Sequence, residues 1–198
     1  RPSADTTLTL LGLFQKSEAN GVPGFLPIEG TRLPNPDGRI ARSLNAGEPG
    51  FDRYDKDTQS LSYLFAHRIN DTVTIRQNLR LNESDVDHPS VGAFGFVEGS
   101  RRTISRYVFT PREQSKVFTI DNHVEFKART GAFTHTVLAG MDVKRSENDY
   151  ASGFGFGVGP LDAFHPVYGS TVTIPEDTTH TFQKQRQLGV YLQDQVRW

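Results

Sequence analysis

Apolar and polar side chains alternate one by one through six long segments of this chain. A strand turns successive side chains to opposite faces, whereas a helix repeats every 3.6 residues, so the pattern specifies ribbons with one greasy and one wet side. In Val73–Leu81, Val73, Ile75, Leu79 and Leu81 oppose Thr74, Arg76, Asn78 and Arg80. In Val117–Arg129, Phe118, Ile120, Val124 and Phe126 oppose Thr119, Asp121, His123, Glu125 and Lys127. In Phe133–Lys144, Phe133, Val137, Met141 and Val143 oppose Thr134, Thr136, Asp142 and Lys144. Leu188, Val190, Leu192, Val196 and Trp198 oppose Gln187, Tyr191, Gln193, Gln195 and Arg197 in the last segment. Leu61–Ile69 follows the same rule; Thr6–Gln15 is the least regular, and its Leu10-Leu11 pair marks a bulge or a two-faced stretch.

The connections differ in kind. Ile69-Asn70-Asp71-Thr72 and Arg129-Thr130-Gly131-Ala132 are tight turns, centred near 70–71 and 130–132, and Asn70, Asp71 and Gly131 suit left-handed turn conformations. The other connections are long, about 17–56, 83–102 and 146–181, where compact soluble domains seldom exceed about 12–15 structureless residues. Short turns at one end and long loops at the other are the asymmetry of an outer-membrane β-barrel. Several segments hold the alternation for about 11 residues, enough to cross hydrocarbon at a barrel tilt. A soluble β-sandwich shows the same alternation with its apolar face toward a core; the loop asymmetry, the strand length and the dense Arg, Asn, Gln, Asp and Lys of the polar face favour the barrel.

Composition excludes several alternatives. Lys and Arg number 22 against 23 Asp and Glu, without the basic excess of a nucleic-acid partner. Cysteine is absent, and no apolar run approaches the roughly 18 residues of a membrane helix. Mean hydropathy is −0.50, which says nothing about alternating membrane strands. Arg1-Pro2-Ser3-Ala4-Asp5 does not resemble a signal peptide and Trp198 stops in mid-pattern, so a fragment is expected. His67, His88, His123, His135, His165 and His180 form no metal-ligand pair, and no nucleophile motif or phosphate loop occurs. Neither catalytic nor metal-ligating residues are expected.

Four blocks carry a family resemblance. Leu26-Pro27-Ile28-Glu29-Gly30-Thr31 with Gly47-Glu48-Pro49 looks like the first long loop of ferrichrome-type TonB-dependent siderophore receptors. Phe65-Ala66-His67-Arg68-Ile69-Asn70-Asp71-Thr72 with Ile75-Arg76-Gln77-Asn78-Leu79-Arg80 is similar to a hairpin of that family. Thr130-Gly131 with His135-Thr136-Val137-Leu138-Ala139-Gly140-Met141-Asp142, and Gln187-Leu188-Gly189-Val190-Tyr191-Leu192-Gln193-Asp194-Gln195, resemble two further blocks in order. The resemblance implies an all-β, antiparallel transmembrane barrel of about 22 strands around a plug. Residues 1–198 would be about six of those strands, with the plug and its TonB contact lying outside the chain. It also implies the outer membrane of a Gram-negative bacterium, with lipid and lipopolysaccharide as surroundings and a ferric siderophore as cargo.

A chelated iron arrives with its coordination sphere filled, so the protein needs no cofactor or metal ligand, only an aromatic, weakly polar bowl. The second loop offers Phe94 and Phe96, and the third Tyr150, Phe154, Phe156, Phe164 and Tyr168, each with loop self-packing as the alternative use. Asp162-Ala163-Phe164-His165-Pro166-Val167-Tyr168-Gly169 resembles a recurrent element of the group. Arg101-Arg102 with Arg106 forms a basic cluster for an anionic chelate or lipopolysaccharide phosphates, or a solvated rim; nearby Glu83, Asp85, Asp87 and Glu98 cancel much of its field and favour a neutral hydroxamate. The expected function is uptake of a ferric siderophore, of hydroxamate type. The rivals are a receptor for cobalamin or an oligosaccharide and, from another class, the soluble sandwich.

Overall fold

The computed structural model describes residues 4–20 and 24–198; the Arg1–Ser3 part of the expected fragment start lies outside the described residues. Among the described residues nine strands follow in chain order: β1 (Thr6–Asn20), β2 (Arg53–Arg68), β3 (Val73–Asp87), β4 (Ser90–Phe96), β5 (Thr103–Phe109), β6 (Arg112–Thr130), β7 (Phe133–Gly155), β8 (Leu161–Asp162) and β9 (Asp177–Arg197). Six of them, β1, β2, β3, β6, β7 and β9, pair antiparallel side by side as a single wall. The wall is one layer of antiparallel strands, a half-barrel, and among the described residues no second sheet stacks on it as a sandwich requires.

The register aligns the alternation across all six strands. One row runs Leu10, Tyr63, Leu79, Ile120, Val143, Leu188. The row one residue away runs Leu11, Ser62, Arg80, Thr119, Lys144, Gln187. Among the described residues nothing covers the apolar side: Leu10 is 69% exposed, Leu188 66% and Val190 79%. An uncovered apolar face of this width is stable only against an apolar medium. Much of the polar face is paired across strands. Arg76 pairs with Glu125 at 2.8 Å, Arg80 donates to Ser62 at 3.3 Å, and Tyr191 donates to Asp121 at 2.6 Å.

Two of the sequence blocks interlock across β7 and β9. Gly140 faces Tyr191 and Gly189 faces Asp142, and a Cβ on either glycine would run into its partner's side chain. Over bare Gly140 the Tyr191 ring crosses to Asp121 on β6, which also pairs with His123 at 2.8 Å. His135 pairs with Asp194 at 2.7 Å between the same blocks.

Several expectations are corrected in detail. The wall strands hold 15 to 23 residues, because cross-strand pairing continues beyond the stretch where one face is apolar. The loops are shorter accordingly: β1 runs on to Asn20, β2 begins at Arg53, β7 reaches Gly155 and β9 begins at Asp177. The second connection folds into a β4–β5 hairpin of its own. Pairing of β1 with β2 is unbroken, so Leu10-Leu11 is two-faced, not bulged. Asn70 and Asp71 do not take left-handed conformations: among the described residues only glycines have positive φ. Instead Asn70 Oδ1 accepts the Thr72 N–H at 2.9 Å and the Val73 N–H at 2.8 Å, an Asx-type closure. Gly131 does take φ +62°, at the first position of a two-residue turn.

The only fully dry packing among the described residues lies at the loop end. Ile40, Ile104 and Ala163 meet there with Leu26, Leu44, Ala93, Phe96 and Phe164 around them, and Val108 and Leu161 are equally buried.

Candidate functional site

The β4–β5 hairpin divides the loop end into two sides. Along β5, Ile104, Arg106 and Val108 are buried, while Thr103, Ser105, Tyr107 and Phe109 alternate to the other side and stay partly exposed. Tyr107 lies over its cross-strand partner Gly92, where no Cβ obstructs it. Its ring stacks on Phe154 at 5.3 Å; Phe154 meets Phe156 edge-on at 5.6 Å, and Phe156 meets Phe94 edge-on at 5.0 Å. Counting along the unbroken β7, Phe154 shares the face of Tyr150 and the polar side of the wall. The four rings form a ladder in which Phe94 is 63%, Phe154 44% and Phe156 55% exposed, too open for a structural core.

Beside the ladder on the polar face is a basin of about 430 Å³, lined by Tyr54, Lys56, His88, Glu113 and Tyr150 among others. Register explains the convergence: Lys56 faces Val86, Val86 faces Glu113 and Glu113 faces Tyr150. Tyr54 and His88 meet edge-on at 5.3 Å. The His88 Nε2 is buried without a hydrogen-bond partner among the described residues, an open position for a polar ligand group.

Of the seven aromatics expected from sequence, Phe94, Phe154 and Phe156 come together and Tyr150 lines the basin next to them. Phe96 and Phe164 pack against the dry junction, Phe164 beneath the Arg102 guanidinium at 5.4 Å. Tyr168 donates to the Asn45 carbonyl at 2.9 Å and ties two loops. Sequence reasoning missed Tyr107, Tyr54 and His88; the signal for Tyr107 was its Gly92 partner, visible only once the hairpin is drawn.

The expected basic cluster does not exist as a unit. Arg101 pairs with Glu29 at 2.9 Å and Arg102 with Asp162 at 2.6 Å. Arg106 is neither a rim residue nor available to an anion: its side chain is fully buried against Glu48 at 3.0 Å. The Glu48 N–H donates to Asp52 at 3.0 Å and the Val91 N–H to the same carboxylate at 2.8 Å. Burial pushes the Asp52 carboxyl above its ordinary range despite those two bonds. At Asp162 desolvation acts the same way, but the Phe164 N–H, the Arg102 guanidinium and the His165 N–H outweigh it and bring the carboxyl down to about 2.

The arrangement offers aromatic faces, a few hydrogen-bonding groups and a balanced field. Among the described residues, no three His, Asp or Glu side chains are placed to hold a metal.

The comparisons agree with this architecture. The family model described as TonB dependent receptor-like, beta-barrel matches residues 1–198. The ferrichrome outer membrane transporter/phage receptor of Escherichia coli (strain K12) is 32% identical over 222 residues, covering 100% of this chain and 30% of that protein. The ferrioxamine B receptor of Salmonella typhimurium (strain SL1344) is 30% identical, over 98% of this chain and 27% of that protein. Among solved structures, the open form of the ferric-catecholate import receptor Fiu from E. coli K12 superposes with TM-score 0.75 at 21% identity, over 97% of this chain and 32% of that one. The siderophore receptor PiuA from Acinetobacter baumannii superposes with TM-score 0.68 at 14% identity, over 97% and 30%. The chain thus spans about three-tenths of the length of the curated relatives it matches. With its whole length matched and its wall strands in that register, the chain belongs to the TonB dependent receptor-like β-barrel family.

Proposed function

We propose that this chain is part of the wall and mouth of an outer-membrane receptor of a Gram-negative bacterium, which binds a ferric siderophore and passes it inward. The apolar face meets lipid and the polar face looks into an enclosed interior, where a plug domain outside this chain would connect to TonB. The observation that carries the reading is the ladder of Phe94, Tyr107, Phe154 and Phe156 beside the Tyr54–His88–Tyr150 basin. Both lie on the interior face where wall becomes loop, so a bulky chelate entering from outside meets them first.

A hydroxamate chelate fits best. Arg101, Arg102 and Arg106 are each matched by a carboxylate, so no concentrated cationic field awaits a triply anionic catecholate. Iron would arrive as cargo inside its chelate. The names of the ferrichrome and ferrioxamine relatives support the same class. On the lipid side, Arg145 and Arg186 face each other across β7 and β9 with no carboxylate partner among the described residues. They adjoin the Val143–Leu188 row and suit lipopolysaccharide phosphates at the border of the apolar band.

The test is equilibrium binding by the full-length receptor to ferrichrome, ferrioxamine B, a ferric catecholate and cobalamin. The hydroxamates are expected to bind, and Phe154→Ala with Phe156→Ala to weaken them. Binding of cobalamin or of the catecholate in their place would overturn the assignment.

A further inference from the structure

Arg106 serves none of the purposes considered above. Its guanidinium donates through Nε to the Gly159 carbonyl at 2.8 Å, through Nη1 to the Gly47 carbonyl and Glu48 Oε2, both at 3.0 Å, and through Nη2 to Ser170 Oγ at 3.2 Å. Gly47 and Glu48 belong to the connection between β1 and β2, Gly159 and Ser170 to that between β7 and β9, and Arg106 itself to the hairpin between β3 and β6. One buried side chain therefore bonds all three long connections. Glu48 completes the knot by accepting the Gly169 N–H at 2.5 Å. Surface straps repeat the linkage: Asn35 donates to the Arg101 carbonyl at 2.7 Å, and Arg101–Glu29 and Arg102–Asp162 join the same loops.

We propose that Arg106 is the positioning residue of the ligand mouth, holding the three loops as one body that stays closed while cargo passes. The proposal rests on the receptor reading above and names a part that reading does not use. Two physical facts carry it. Arg106 and Tyr107 are consecutive on β5, one facing the dry junction and the other the aromatic ladder, so the fit of Arg106 sets where the Tyr107 ring stands. The four acceptors also need a rigid planar fork, which Lys cannot supply from a single ammonium. Parting the first connection from the hairpin would separate a buried charge pair, and opening the β7–β9 connection would leave Arg106 Nε and Nη2 without their acceptors, so the passage opens elsewhere in the barrel.

The test uses the full-length receptor and reads amide exchange and ligand affinity separately. Arg106→Met is expected to raise exchange in all three loops together while β2, β3 and β6 keep theirs; Arg106→Lys falls between. Loosening confined to β4 and β5 would overturn the proposal. With ferrichrome and ferrioxamine B as probes, Arg106→Met should weaken affinity by about tenfold or more, with uptake at saturating chelate little changed. Wild-type affinity in a variant whose three loops have loosened would contradict the positioning role. If the unmodified receptor binds neither chelate, the receptor reading fails and the exchange result still decides the clamp. Finally, Glu29→Cys with Arg101→Cys, bridged by a short bis-maleimide, should leave uptake intact; uptake lost on bridging would show that the loops must part.

Discussion

The wall and the loop junction are built by opposite means. Along the wall, apolar rows such as Leu10–Tyr63–Leu79–Ile120–Val143–Leu188 have no second layer over them among the described residues, and cohesion within the chain comes from the backbone ladder. At the junction, Ile40, Ile104, Val108, Leu161 and Ala163 are shut away from solvent around a buried Arg106–Glu48 pair, as in a small soluble domain. The wall can therefore tolerate polar change on one face and not the other, whereas the junction is intolerant throughout. The aromatic ladder lies where the two meet, and the proposed ligand mouth would take its rigidity from the junction.

The largest expected effect is at the buried pair. Glu48→Ala leaves Arg106 without its carboxylate, and the loop end should lose about 3–5 kcal/mol of local stability. Exchange at the junction against exchange in the β2–β3 hairpin measures it; equal loosening of both would dissolve the distinction. Next is the face contrast on β6. Ile120→Arg, on the apolar side, should cost about 2–4 kcal/mol of folding stability in bilayers if it sits near the midplane. Its neighbour Thr119→Arg should cost little, as refolding titrations of the full-length receptor would show. Smaller again is the interlock: Gly140→Ala forces the Tyr191 ring aside for about 1–3 kcal/mol, and adding Tyr191→Ala should recover part of that. The smallest effect is electrostatic. The folded Asp162 value is about 2 against an ordinary 3.8, so its stabilisation is present above pH 3.8 and fades as the pH falls toward 2. Asp162→Asn should flatten that limb of an acid-unfolding curve for the loop end.

The wall was legible in the sequence because a single-layer sheet with one apolar and one polar face imposes strict alternation, as in Val73–Leu81. Strand ends were not legible. Asp55, Asp57, Asp85 and Asp87 continue the ladder of β2 and β3 on the face that turns from apolar to charged, so pairing outlasts the pattern. The β4–β5 hairpin was hidden because Arg106 occupies a buried position between Ile104 and Val108, and its partner Glu48 lies 58 residues away. The aromatics were found by type, but Phe94 and Phe96 separate because a bulge between Ala93 and Gly95 shifts the register. Spacing alone could not assign one to the aromatic ladder and the other to the junction.

Everything depends on where the two sides of the wall look. A cysteine scan of β3 from Val73 to Leu81, in the full-length receptor reconstituted in bilayers, reads this with a fluorescent label and two quenchers, one lipid-attached and one water-soluble. Labels at Val73, Ile75, Leu79 and Leu81 should be quenched from lipid, and labels at Thr74, Arg76, Asn78 and Arg80 should not. Protection of the first set from both quenchers, as in a dry centre between two sheets, would contradict the account.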